Sequence, residues 1–530
     1  MVTQYGIKLV VHLLTNQFGN IVAKVCESLL RRGPLTLQLI VRFTELTPQQ
    51  VKSSLLILIQ HNCVQAFSLE QQDGLQDGPK ANTQYLALFN NILHRMRFSK
   101  FLKIVSGEFG ECKELLKGLL QHGRLTLKQM VEREREKSSK KDGNCEDIVQ
   151  ENILKLLSAR YVERCPIHEP VLATPVKDDT AKRRGAKSSK RNEESETIEQ
   201  RVLGAAAPMD AQRFSIITNT GSNVSRETSV GEKRKYDALE LDRESAAEEE
   251  EIVLLRANFE EFMCRLRHKA CIENVRTRLD DGASIVLRAM LEAVRSLEKR
   301  VKTEKSVPLS LNTIFEEVMN SEEGRGMTLD RVRASLVQLG CSSSARGSDE
   351  SYSIDLKKIV ELAQNDEVES IVLKRFGRNA YKMFRLLSKT GCLVETEKIS
   401  DVTFVEKKEA PKMLFKLWSD GYLHMEKITV AAGRQSQFLL WKVNKPSLQE
   451  HVLDEMFHAA LNLSQRVAYE REKDKELINL PADKQVMSLE KRHEQRKNVA
   501  LVLESSLREL DDAVMLFHDF EEPSLLKLDL

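Results

Sequence analysis

The sequence predicts a mainly α-helical chain with small β-wings: four tandem (extended) winged-helix domains followed by a C-terminal coiled-coil helical hairpin. Three observations carry this reading. Apolar residues recur at helical spacing, with short breaks, through the first 165 residues. A helix, helix, helix, hairpin order returns along the chain, which is the order of the helix-turn-helix variant with a β-wing. A heptad pattern then closes the sequence.

The first domain is expected over 1–89. Ile21, Val25 and Leu29 share one helical stripe, and the run stops at Arg31-Arg32-Gly33-Pro34. Thr47-Pro48 offers an N-cap with proline at the first helical position. The helix that follows buries Val51, Leu55, Leu58 and Ile59 and turns Gln49, Gln50, Lys52 and Ser53 outward. Two β-like runs, 63–69 and 83–89, flank a turn-rich insert at 71–82 that holds Asp-Gly twice.

The second domain, 90–165, repeats the first. Leu29-Leu30-x-x-Gly33-x-Leu35-Thr36-Leu37 returns as Leu119-Leu120-x-x-Gly123-x-Leu125-Thr126-Leu127, and Val41/Val131 extends the match. A second echo marks the end of each third helix. Leu55, Leu58, Cys63 and Val64 align with Ile153, Leu156, Tyr161 and Val162, and again with Leu414, Leu417, Tyr422 and Leu423. Such repeats indicate tandem copies of one small unit. The wing of the second copy looks short, because the composition changes soon after Cys165.

Residues 166–250 are rich in Pro, Ser, Thr, Lys and Glu and lose apolar periodicity, so a disordered charged linker is expected, removable without loss of folding. Lys182, Arg183, Arg184, Lys187, Lys190 and Arg191, and later Lys233, Arg234 and Lys235, read as nuclear-localisation or nucleic-acid contacts. The same clusters also suit an ordinary solvated linker. The third domain, 251–369, is read as helices at 252–268, 270–301 and 310–320, a third helix at 328–339, a loop at 341–350 and a wing strand at 352–356. The fourth, 370–445, places its third helix at 409–418 and its hairpin strands at 422–427 and 438–443, across Gly433. In the hairpin at 446–520, Val486, Leu489, His493, Arg496, Ala500, Leu503, Leu507, Leu510, Val514 and Phe517 hold alternating three- and four-residue steps. Val452, Met456, Ala459 and Leu463 step likewise, and Pro481 separates the two segments.

Composition narrows the function. Lys+Arg 81 against Asp+Glu 79 leaves a net charge of +2, so nucleic-acid contact must come from local patches. Aromatics are only 5%, too few for a groove of base-stacking platforms. Nine scattered cysteines without a CxxC argue against a disulfide scaffold or zinc ribbon and suit a reducing compartment. No run approaches the ~20 apolar residues of a membrane span, and no signal peptide is evident. GxxxxGK[ST], GxGxxG after a strand, HExxH and GxSxG are missing. His451 and His458 fit helix-surface polarity better than a metal site. No catalytic, cofactor or metal site is expected.

What remains is recognition-helix chemistry. The outward candidates for DNA contact are Gln49, Gln50, Lys52 and Ser53 in the first domain, Arg331 and Arg333 in the third, and Lys407, Lys408 and Lys412 in the fourth. None of these helices carries the dense Arg/Asn pattern of base readout, so backbone contact or protein docking fits better.

The chain resembles a known family, the winged-helix subunit of RNA polymerase III that forms an initiation heterotrimer with two smaller subunits. The matching segments are Phe18-Gly19-x-Ile21-Val22-x-Lys24-Val25, Val51-Lys52 through Gln60-His61-Asn62, Arg95-Met96-Arg97-Phe98, Leu125-Thr126, Val162-Glu163-Arg164-Cys165-Pro166 and Ala257-Asn258-Phe259. Arg375-Phe376-Gly377, Phe384-Arg385-Leu386 and the stretch from Lys408 to Leu414 complete the set, in family order. The family is similar to the large subunit of the general factor TFIIE. The resemblance implies a non-catalytic nuclear subunit that acts in promoter recruitment and DNA opening for tRNA, 5S rRNA and other small RNA synthesis. It implies as partners the two smaller heterotrimer subunits, other polymerase subunits, an initiation factor, and single- and double-stranded promoter DNA, with no membrane. Two rivals are a gene-specific winged-helix regulator and a winged-helix scaffold of the proteasome-lid type.

Overall fold

The computed structural model describes residues 3–69, 82–137, 145–172, 197–208, 210–215, 253–295, 308–346, 349–432, 434–478 and 487–520. The basic candidates Lys182, Arg183, Arg184, Lys187, Lys190, Arg191, Lys233, Arg234 and Lys235 lie outside them, as do Pro481, Val486 and most of the 71–82 insert. The chain divides into two units, residues 13–262, and residues 1–12 with 263–530.

Helix α1 (Gln4–Phe18), whose residues up to His12 belong to the second unit, enters the first and parts from α2 (Asn20–Arg32) at Gly19, whose φ of +88° suits glycine. The chain continues as β1 (Leu35–Thr36), α3 (Leu37–Thr44), α4 (Pro48–Gln60), β2 (Val64–Leu69) and β3 (Asn82–Ala87). Thr47 and Gln50 form a reciprocal capping box that starts α4, with Pro48 at its first position. Val51, Leu55 and Leu58 are buried as the periodicity predicts, but Ile59 is only half-buried and Ile21 is exposed.

Next come α5 (Phe89–Leu93), α6 (Phe98–Glu108), α7 (Lys113–His122), β4 (Leu125–Thr126), α8 (Leu127–Lys137), α9 (Cys145–Ser158) and β5 (Val162–Arg164). Gly33 and Gly123, the repeated glycines, end α2 and α7 at φ near +80° and donate to the Leu29 and Leu119 carbonyls. Both lead straight into a two-residue strand. The sequence repeat is therefore a repeat of a helix end, a strand and a helix start.

The expected linker requires correction. Within 166–250 lie β6 (Val171–Leu172), α10 (Ile198–Ala206) and α11 (Asp210–Arg213). Strand β6 pairs in parallel with β2, Ser68 opposite Val171 and Leu69 opposite Leu172. Leu172 and Val202 of α10 complete an apolar cluster with Phe67, Leu86 and Leu88. The second domain's wing is short, with strands of three and four residues, but it does not end at Cys165. Its missing strand is β7 (Leu254–Ala257), which pairs with β5 from Val162↔Ala257 to Arg164↔Leu255. The stretch between β5 and β7 is an insertion in the wing, so the second domain ends near 257 rather than 165. Phe259 and Phe262, just after β7, close this core, Phe262 stacking on Phe101 at 4.6 Å and Tyr161 at 4.9 Å.

In the second unit, α12 (Phe259–Arg278) precedes α13 (Asp281–Ala293), β8 (Leu309–Ser310), α14 (Leu311–Asn320) and α15 (Leu329–Gln338). The predicted helix break near 269 falls instead at 279–280, where Asp280 caps α13. The predicted loop at 341–350 contains most of a hairpin, β9 (Ser342–Arg346) and β10 (Asp349–Ser353), whose Ser-rich composition hides its strand character. Helix α16 (Leu356–Thr390) breaks its geometry at Gly377, φ +82°. Strand β11 (Val394–Glu395), α17 (Thr396–Thr403), α18 (Ala410–Ser419), β12 (His424–Ala432) and β13 (Arg434–Lys442) follow. Gly377 and Gly391 repeat the spacing of Gly19 and Gly33, and Phe376 precedes the first as Phe18 does. Phe376 meets Tyr422 edge-on, and Arg375 donates to the Tyr422 hydroxyl and to Glu455.

The sheets share one topology, β1-β3-β2, β4-β7-β5, β8-β10-β9 and β11-β13-β12, with β6 added outside β2. The third helices share one exit. Asn62, Arg160, Gly340 and Gly421 adopt positive φ, and the next N–H reaches back to Leu58, Leu156, Leu336 and Leu417 at 2.8–3.1 Å. This is a Schellman end, and it explains the aligned buried positions, Cys63, Tyr161 and Tyr422 among them. Helices α19 (Lys445–Ile478) and α20 (Met487–His518) then form the antiparallel hairpin. Val514 and Phe517 are buried and the seam positions from His493 to Leu510 half-buried. On α19 the buried row runs through Val452, Met456 and Ala460, not Ala459.

Candidate docking and nucleic-acid faces

Each winged helix presents its third helix, and four elements serve that role: α4, α9, α15 and α18. Burial of one stripe fixes which side chains face out. In α4, Gln49, Lys52 and Ser53 are exposed as expected. Gln50 is exposed too, but its Oε1 accepts from the Thr47 N–H and hydroxyl, so it caps the helix instead of reaching outward.

The structure redistributes the basic candidates. Arg331 donates to Asp280 at 2.6 Å, tying α15 to the start of α13. Lys407 pairs with Asp401 at 3.4 Å. Lys408 and Lys412 are exposed and have no acidic partner among the described residues, and Arg333 is exposed on α15. The candidate cations thus fall into two kinds, those holding the domain together and those available to a ligand.

The sequence reading missed the apolar side chains on the same faces. Leu56 of α4 is 69% exposed and Ile57 is exposed too, as are Leu39 and Phe43 of α3. Ile148 and Leu154 of α9, Val337 of α15, and Phe415 and Trp418 of α18 are exposed as well. Phe415 and Trp418 lie 5.0 Å apart. Phe404, which ends α17 in the left-handed region, is 92% exposed. A signal was present: 55–59 reads Leu-Leu-Ile-Leu-Ile and 413–418 reads Met-Leu-Phe-Lys-Leu-Trp. One helix stripe cannot bury so many consecutive apolar residues. Large apolar groups beside isolated lysines suit protein docking and sequence-blind phosphate contact better than base readout.

The junction between the first two winged helices is built from polar groups and close backbone packing. Arg124, buried, donates to the Asn62 side chain at 2.9 Å, and Gln60 donates to the carbonyls of His122 and Arg124. A Cβ on Gly123 would stand 2.0 Å from the Gln60 carbonyl oxygen. Burial, with Arg95 and His122 nearby, lowers the His61 pKa to about 4, so this imidazole is neutral at pH 7. The second wing is held by Glu163, a buried carboxylate that accepts from Arg256 at 2.8 Å and from Arg213 of α11 at 2.5 Å. Burial works against the Arg213 charge, but Glu163 and Glu260 outweigh it and raise its pKa. Among the described residues no group of three His, Cys, Asp or Glu could hold a metal ion. His458 stacks on Tyr5 at 4.2 Å, and His451 meets Tyr422 edge-on.

Three family models match the chain. The RNA polymerase III subunit RPC82 helix-turn-helix domain covers residues 8–69, RNA polymerase III subunit RPC82 covers 151–405, and the POLR3C C-terminal winged-helix domain covers 368–443. The chain is similar to DNA-directed RNA polymerase III subunit RPC3 of Bos taurus, 26% identical over 489 residues, spanning 90% of this chain and 86% of the relative. The same subunit of Homo sapiens is 26% identical over 490 residues, with the same coverage. That of Dictyostelium discoideum is 21% identical over 666 residues, covering 97% of this chain and all of the relative.

Proposed function

The chain belongs to the RNA polymerase III subunit RPC82 family, and from that premise we propose that it is a non-catalytic, nuclear subunit working in promoter recruitment, DNA opening and initiation. In this reading it stands in a subcomplex with two smaller subunits, meets an initiation factor, and touches promoter DNA without reading its sequence. The observation that carries the reading is the make-up of the recognition helices. Their outward faces mix exposed Leu, Ile, Phe and Trp with a few available cations, Lys52, Arg333 and Lys412, and Lys408 is exposed in the turn just before α18. Apolar patches of this kind mark protein contacts, and scattered cations give affinity for phosphate through counterion release.

Purification of the tagged full chain from nuclei, with mass spectrometry of what it retains, tests the reading. Recovery of the polymerase with two small subunits is expected. Recovery of the chain alone, or of a proteasome-lid assembly, would overturn it. DNA contact is checked on unrelated duplexes and single strands. Binding that weakens steeply with salt and varies less than about tenfold between sequences is expected, whereas a single operator bound a thousandfold tighter would favour a gene-specific regulator.

A further inference from the structure

The shared topology allows the four wing edges to be compared position by position. The outer strand of each sheet is β2, β5, β9 or β12. On β2 the edge is occupied: the Ser68 N–H donates to the Pro170 carbonyl at 3.0 Å, and β6 runs alongside in parallel. Against β5 lies α11, Arg213 reaching Glu163 and Arg164 donating to the Ser215 carbonyl. The insertion therefore attends to both wings of its own unit. Strand β12 is a nine-residue edge with no such cover among the described residues.

Counting from the Schellman ends aligns Cys63 with Tyr422, so Ser68 and Leu69 correspond to Lys427 and Ile428. Ser68 is buried and Leu69 half-buried beneath β6, whereas Lys427 is exposed and Ile428 is 45% exposed. By the same count the Lys427 N–H points outward, as that of Ser68 does. Lys427 has no acidic partner among the described residues, while the neighbouring Glu426 is already met by Lys442 at 3.1 Å and His424 at 3.5 Å. An open edge this long is a pairing template that proteins otherwise blunt or cover.

We propose that the β12 edge takes up an extended segment of another polymerase subunit, added in parallel as β6 is added to β2. Main-chain hydrogen bonds at Met425 and Lys427, whose backbone groups face outward, supply the affinity. An aliphatic side chain of the incoming strand covers Ile428, and an acidic residue beside it meets Lys427. Within this chain the segment filling the equivalent place reads Glu169-Pro170-Val171-Leu172, an acid ahead of an aliphatic pair. The inference rests on the polymerase-subunit reading above.

Hydrogen exchange of the tagged full chain, free and within the assembled enzyme, tests it. The amides of 425 and 427, which point outward, should exchange at least tenfold more slowly in the assembly. Lys427→Pro should abolish that protection, because proline removes the outward donor yet is tolerated on an edge strand. Lys427→Ala should keep it. A photo-crosslinker placed at 428 should capture a segment of another subunit with an aliphatic residue next to an acid. If Lys427→Pro does not fold, the wild-type exchange and the crosslink decide. Unchanged exchange in an assembled enzyme overturns the inference alone, as does protection that survives Lys427→Pro in a folded chain. Protection appearing in the free chain as its concentration rises (a second copy) or crosslinking to DNA also overturns it. Failure to recover the enzyme with the chain strikes the functional reading instead.

Discussion

The first and fourth winged helices are built alike and finished differently. Each follows a Phe-Gly break, ends its first helix on a glycine of positive φ, and leaves its third helix through a Schellman end into an outer strand. In the first, Phe67, Leu86 and Leu88 lie beneath Leu172 and Val202, brought back from the insertion. In the fourth, the matching outer strand is polar at Glu426 and open at Lys427 and Ile428. The module is defined by its helix ends and strand order, while its edge is free to be sealed by the same chain or left for a partner. The acidic, proline-containing composition of 166–250 conceals this, because the sealing elements are only two and nine residues long.

The largest expected effect comes from charging each edge. Val202→Asp buries a carboxylate in the first wing's apolar cluster and should cost about 3–5 kcal/mol, read as a lowered urea midpoint. Ile428→Asp, at the open edge, should stay within about 0.5 kcal/mol. Equal losses would erase the distinction between the two wings. Removing 166–250 outright should likewise lower stability, contrary to what its composition suggests, since it strips both Leu172 and Val202 from the core.

A smaller effect separates the two repeated glycines. Gly33 and Gly123 share φ near +80°, so alanine pays about 1–2 kcal/mol of backbone strain at either place. Only at Gly123 would the new Cβ also meet the Gln60 carbonyl oxygen at 2.0 Å, against nothing within 4 Å at Gly33. Gly123→Ala should therefore lower the unfolding temperature clearly more than Gly33→Ala. Similar shifts would mean that the junction between the first two winged helices yields easily.

The smallest effect is a pH dependence. The folded state holds the His61 pKa near 4, below its ordinary 6.5, so the unfolded chain binds the proton first as the pH falls. Stability should decline between about pH 6.5 and 4, and His61→Gln should flatten part of that slope. A wild-type slope untouched by His61→Gln would contradict the assignment.

Much of this architecture was legible because helix ends leave local marks. The Leu-Leu-x-x-Gly-x-Leu-Thr-Leu repeat encodes a glycine cap, a strand and a helix start within nine residues, and Thr47-Pro48 with Gln50 encodes another start. Strand pairing between distant segments leaves none. Val162–Arg164 and Leu254–Ala257 are too short to show alternation and lie some ninety residues apart in the chain, so the sequence alone ends the second wing too early. The candidate faces were half legible. Lys408 and Lys412 are where an outward reading puts them, but Gln50, Arg331 and Lys407 are taken by partners that only folding brings near. The exposed Leu56, Phe415 and Trp418 were written in the apolar runs, yet periodicity alone reads such residues as core.

Amide exchange at residues 68 and 427 of the free full chain tests the contrast most directly. The donor at 68, bonded to the Pro170 carbonyl, should exchange many times more slowly than that at 427, and Val202→Asp should bring the two together. Equal rates in the unmodified chain would show that β6 does not seal the first wing, and that the two edges are not different after all.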